Sequence, residues 1–126
     1  MTHRLTFTIP KALWLTANRA PHNRGWRARQ VAELQTIARN EARGLAPIDG
    51  PVHADWTVRY PKGVRRDKGD AANAQPTTKA LLDGLVPDVL ADDGPLHVAS
   101  ETFRRGPNLD RPSDHEVTLL LTEERP

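Results

Sequence analysis

Apolar and polar residues alternate over 3–9, with Leu5, Phe7 and Ile9 on one side. This two-residue period predicts a half-buried strand ending at Pro10. Residues 14–25, with Asn18, Pro21, Asn23 and Gly25, read as an irregular loop. From Trp26 to Arg43 there is neither Gly nor Pro, and Val31, Leu34, Ile37 and Ala38 form a helical stripe with Gly44 as its stop. A turn over 45–51 leads to a second alternating run, Val52–Tyr60, in which Val52, Ala54, Trp56, Val58 and Tyr60 share a face. Residues 62–75 are too polar and broken to predict an element. Pro76 then suits the first turn of a helix whose buried side is Leu81, Leu82, Leu85 and Val86, with Pro87 bending or ending it. Strands are expected over 97–104 and 116–122, separated by turn-rich residues at 106–114. The order β-α-β-α-β-β predicts one α+β domain over residues 1–126, a small mixed or antiparallel sheet with two helices.

Composition narrows the chemistry. The 126 residues include no cysteine, which excludes disulfides, thiolate zinc sites and cysteine nucleophiles. No apolar run is long enough to span a bilayer and no leader pattern opens the chain, so a cytoplasmic location and no membrane partner are expected. The net charge of +2 conceals an asymmetry. Residues 1–66 carry 12 Lys and Arg against 4 Asp and Glu, whereas residues 67–126 carry 6 against 12. A basic half points to a polyanionic partner, unless folding interleaves the halves.

The segment Lys62–Asp93 concentrates the candidate chemistry. Lys62, Arg65, Arg66 and Lys68 surround Asp67 and Asp70; Lys79 follows in the next helix, and Asp92 and Asp93 come in the turn after it. A helix returning beside the loop that leads into it would bring these carboxylates together. Carboxylate oxygens without His or Cys suit Mg²⁺ or Mn²⁺ rather than zinc. Such an ion lowers the pKa of bound water and neutralises charge developing on a phosphodiester. A neighbouring lysine stabilises the same charge, and surrounding cations hold flanking phosphates.

The stretch from Arg65 to Leu85, with Pro76-Thr77-Thr78-Lys79-Ala80 and Asp83-Gly84-Leu85 in its helix, followed by Asp92-Asp93, resembles the RusA family of Holliday-junction resolvases. The likeness extends more loosely to the first strand, the Asn18-Arg19 and His22-Asn23-Arg24 loop, and the basic helix after it. It implies a Mg²⁺-dependent homodimeric endonuclease of DNA recombination and repair, common in phages, that resolves four-way junctions. Asp70 matches the first motif aspartate, Asn73 the asparagine, Lys79 the helix lysine, and Asp92 with Asp93 the closing pair. The catalytic set expected is Asp70, Asp93, Asp92 and Lys79, with Asp70, Asp92 and Asp93 as metal ligands. Ala72 stands where many members have a second aspartate, and Asp67 is the candidate replacement. Arg19, His22, Arg24, Arg27, Lys62, Arg65, Arg66, Lys68 and Asn73 are the expected DNA contacts. The departure at Ala72 leaves a second reading open, a junction- or duplex-binding protein that does not cut. A small-molecule phosphohydrolase is disfavoured, because no Gly-rich phosphate loop is present.

Remaining candidates are plainer. Asp83, four residues after Lys79, has the spacing of a helical ion pair. His3, His53, His97 and His115 lie in or beside strands without ligand spacing and are expected to be structural. Trp56 is expected in the core, and Trp14 and Trp26 in packing rather than base stacking.

Overall fold

The computed structural model describes residues 1–16 and 24–124. Four strands form one mixed sheet: β1 (Thr2–Ile9), β2 (Val52–Arg59), β3 (Val98–Arg105) and β4 (His115–Glu123). Two helices, α1 (Arg24–Glu41) and α2 (Gln75–Gly84), follow β1 and β2. The spatial order is β1-β4-β2-β3, with β4 antiparallel to both neighbours and β2 parallel to β3. A parallel pair needs a long crossover, and α2 lies within the one joining β2 to β3.

The alternation seen in the sequence decides which side of the sheet is dry. Leu5, Phe7 and Ile9 of β1, Ala54, Trp56 and Val58 of β2, and Val117, Leu119 and Leu121 of β4 are all buried. Register puts Leu119 between Leu5 and Trp56, and Val117 between Phe7 and Val58. Leu34 and Ala38 of α1 and Leu81 of α2 belong to the same core. The helices approach so closely at Gly84 that a Cβ there would lie 2.4 Å from the Gln35 carbonyl oxygen.

Several boundaries differ from the sequence expectation. Helix α1 starts two residues earlier than Trp26 and stops at Glu41, while the chain turns at Gly44 with φ +82°. Helix α2 ends at Gly84, before Pro87, and begins at Gln75 with Pro76 in its first turn. The stretch read as structureless holds a 3₁₀ turn, Ala71–Ala74, whose Ala71 and Ala74 are buried. Small apolar residues let this turn tuck against Val58 and Tyr60 despite its polar flanks. A second 3₁₀ turn, Lys11–Leu13, follows β1.

The charge asymmetry does not become two charged lobes. Strands β1 and β2 of the basic half flank β4 of the acidic half, with Arg59 3.2 Å from Glu116 and Asp55 3.1 Å from Arg104. No helix among the described residues is long and apolar enough to cross a membrane.

Candidate active site

The basic loop after β2 is tied down at several points. The Lys62 N–H donates to the Arg111 carbonyl (2.8 Å), and Asn108 Nδ2 donates to the Val64 carbonyl (2.6 Å). Arg105, the last residue of β3, donates to the carbonyls of Lys68 (3.2 Å) and Arg65 (3.4 Å) while its guanidinium sits 4.9 Å from the centroid of the Tyr60 ring. The Tyr60 hydroxyl donates to the Asp70 carbonyl at 3.1 Å. At Gly69, φ is +75° and a Cβ would lie 2.7 Å from the Tyr60 ring, so side chains are excluded by both conformation and space.

These ties deliver Asp70 to a defined place. Its carboxylate accepts from the Ala72 N–H at 2.9 Å and its carbonyl from the Asn73 N–H at 3.1 Å, so it caps the 3₁₀ turn leading into α2. The exposed carboxylate borders a surface cleft of about 300 Å³ whose cations are Arg66, Lys68, Arg104 and Arg105. Asp67 lines the same cleft, but its carboxylate is paired with Arg65 at 2.9 Å.

A second group forms along α2. Lys79 Nζ donates to Asp83 Oδ1 at 2.9 Å and also to Asp93 Oδ2. The Asp93 N–H donates to Asp92 Oδ1 at 2.9 Å, which shapes the turn holding both aspartates. Hydrogen bonding to Lys79, then to Asp83, pulls the Asp93 carboxyl down to about 2. Asp83 moves the other way, raised chiefly by burial, and Lys79 is raised by its bonds to Asp93 and Asp83. At neutral pH the group therefore holds a charged ammonium against an ionised Asp93.

The expected residues thus fall into two groups, Asp67 and Asp70 with Arg66 and Lys68 in the cleft, and Lys79 with Asp83 and Asp93 along α2. Among the described residues, no three or more acidic or histidine side chains gather as a metal cage. Ala72 is exposed and brings no carboxylate. Arg19 and His22 lie outside the described residues, Arg24 is the first residue of α1, and Arg27 is half-buried on that helix. Lys62 lines a different cleft.

Some contributors carried little sequence signal. Arg104 and Arg105 end β3 and reach the loop only because β3 pairs in parallel with β2. Thr77 is fully buried; its Oγ1 accepts from the Leu15 N–H (2.8 Å) and donates to the Leu15 carbonyl (2.7 Å), tying the residues after β1 to α2. His115 is buried rather than ordinary: its ring stacks on Trp14 at 3.8 Å and meets Tyr60 edge-on.

The donor chemistry fits Mg²⁺. That ion keeps several waters and takes one or two carboxylates plus substrate phosphate, so it needs no cage of protein ligands. The exposed Asp70 meets that demand with one carboxylate, whereas Asp93 Oδ2 is taken by Lys79 and Asp92 Oδ1 by the Asp93 N–H. In comparisons with known proteins, no family model matches the chain and no curated protein matches it.

Proposed function

We propose that the chain is a Mg²⁺-dependent endonuclease of branched DNA, a resolver of four-way junctions that works as a two-fold dimer. The observation carrying this reading is Asp70, an exposed carboxylate fixed at the edge of a cleft with four cationic side chains. Cations around a single carboxylate suit a polyanion whose phosphates must be held while one of them reacts. Asp70 would hold Mg²⁺ at the edge of the cleft, with water and substrate phosphate completing its shell and Asp92 and Asp93 standing in the separate group along α2; when bound, the ion would supply an activated water and charge neutralisation at the phosphorus. Arg66, Lys68, Arg104 and Arg105 bind the backbone on either side of the reacting phosphate. Lys79, kept charged by Asp83 and Asp93, offers an ammonium to the negative charge that builds on the phosphate oxygens. Two sites related by a dimer axis would match the symmetry of a junction cut on opposing strands.

One observation favours a second reading, a junction-binding protein without cleavage: Ala72 supplies no ligand and no three acidic side chains gather among the described residues. Asp70→Asn separates the two. Asn caps a turn as well as Asp, so this variant keeps its fold and its junction affinity while Mg²⁺-dependent nicking is lost. Undiminished nicking by Asp70→Asn removes Asp70 from the site.

A further inference from the structure

A second cleft, of about 420 Å³, opens between the 3₁₀ turn after β1, the turn after β2 and the loop before β4. Its cations are Lys11 and Lys62, its apolar floor is Pro61, Val64 and Pro112, and the imidazole of His115 closes one side. Neither lysine is paired with a carboxylate among the described residues, and no acidic side chain lines the cleft. The walls are held before any ligand arrives. Gly63, with φ +92°, turns the chain; the Val64 N–H closes that turn on the Pro61 carbonyl, and Lys62 is bonded through its N–H to Arg111. Trp14 stacked behind His115 fixes the imidazole, while burial keeps it neutral.

We propose that this cleft binds one nucleotide unit of a single-stranded or unstacked DNA segment, its base on the floor of Pro61, Val64 and Pro112 and its phosphate between Lys11 and Lys62. Apolar walls with two unpaired cations and no anion match the two ends of a nucleotide. Apolar packing against Pro61, Val64 and Pro112 reads no hydrogen-bonding edge of a base, so the subsite is indifferent to sequence. A simple anion would leave the apolar floor unused, and an apolar molecule would leave two ammonium groups uncompensated. The assignment extends the nuclease reading by giving a strand a route past the Asp70 cleft, since Lys62 and Arg66 belong to one continuous loop. It is measured by binding alone.

The test is equilibrium binding, in EDTA, of a fluorescent oligothymidylate and of an abasic strand of equal length, across a range of salt. Two variants report on the two ends of the site. Lys11→Ala with Lys62→Ala removes charge from exposed positions, and Pro112→Ser strips apolar surface from the exposed part of the floor without altering charge or adding a ring. The wild type should prefer the thymidylate strand, and Pro112→Ser should reduce that preference. The double variant should lower the slope of log affinity against log salt by about 0.7 for each phosphate that the lysines no longer neutralise. Equal affinity for both strands in the wild type, or an unchanged slope in the double variant, overturns the assignment. So does tighter binding of thymidine 5′-monophosphate than of the strand. A chain that nicks junctions but fails these tests loses the subsite and keeps the nuclease reading. One that passes them without nicking keeps the subsite and loses the nuclease.

Discussion

The rings of Trp14 and His115 lie parallel, with centroids 3.8 Å apart and planes 7° from coincidence. Tyr60 meets both edge-on, at 5.8 Å and 5.2 Å, and its hydroxyl reaches back to the Asp70 carbonyl. One aromatic cluster therefore joins the segment after the 3₁₀ turn that follows β1, the start of β4 and the loop that presents the candidate catalytic aspartate. Its position explains why a histidine stands at the first position of a strand whose other inward residues are aliphatic.

Burial holds the His115 imidazole down at about 4, against a weaker opposing pull from Asp114. In the unfolded chain the same group takes a proton near its ordinary value of 6.5. Between these values the unfolded state binds more protons, so stability falls as pH drops from about 6.5 toward about 4 and this contribution levels off below. The full effect is about 3 kcal/mol at 1.36 kcal/mol per pKa unit. Urea titrations at pH 7 and pH 5 should reveal the loss. His115→Phe, which still stacks on Trp14 but does not titrate, should flatten the dependence in that window. An equally steep decline in the variant would place the titrating group elsewhere.

Gly84 lies where the two helices meet, and a methyl group there would stand 2.4 Å from the Gln35 backbone and 2.9 Å from the Ala38 side chain. Gly84→Ala gains helix propensity of about 1 kcal/mol. Overpacking against backbone costs about 1–3 kcal/mol and shifts α1 away from α2. The expected net outcome is a destabilised protein with a lower urea midpoint, accompanied by weaker nicking because α2 carries Lys79. A stabilised Gly84→Ala protein would mean that the helices separate without cost.

Much of this architecture is legible in the residue pattern, because period-two alternation in β1, β2 and β4 coincides with the buried face of the sheet. The order of strands is not. Nothing local to His115–Glu123 indicates that β4 lies between β1 and β2 rather than beside β3, since both arrangements bury the same residues. The site is readable as residue types but not as a grouping. The polar run 62–70 lacks periodicity, and its shape comes from distant partners, Arg105, Asn108 and Arg111, that only the fold brings near. Thr77 reads as part of a helix start, yet its hydroxyl serves both backbone groups of Leu15, 62 residues away in sequence.

Lys79 offers a separation of stability from activity. Its ion pairs are largely exposed, with 56% of the lysine side chain accessible to solvent. Pairs of this kind contribute about 0–1 kcal/mol. Lys79→Met is expected to unfold within about 1 kcal/mol of the wild type and to lose about 100-fold or more in nicking rate, the range for removing one stabilising donor of a developing charge. A variant as active as the wild type would reduce Lys79 to a surface ion pair.

The most direct measurement of the nuclease reading is single-turnover cleavage of a labelled synthetic four-way junction by the wild-type chain in Mg²⁺, beside EDTA and a linear duplex of the same arms. Paired nicks on opposing strands, present only with the metal and only on the junction, are the predicted result. A junction that is bound but left intact in both Mg²⁺ and Mn²⁺ at every protein concentration would contradict it.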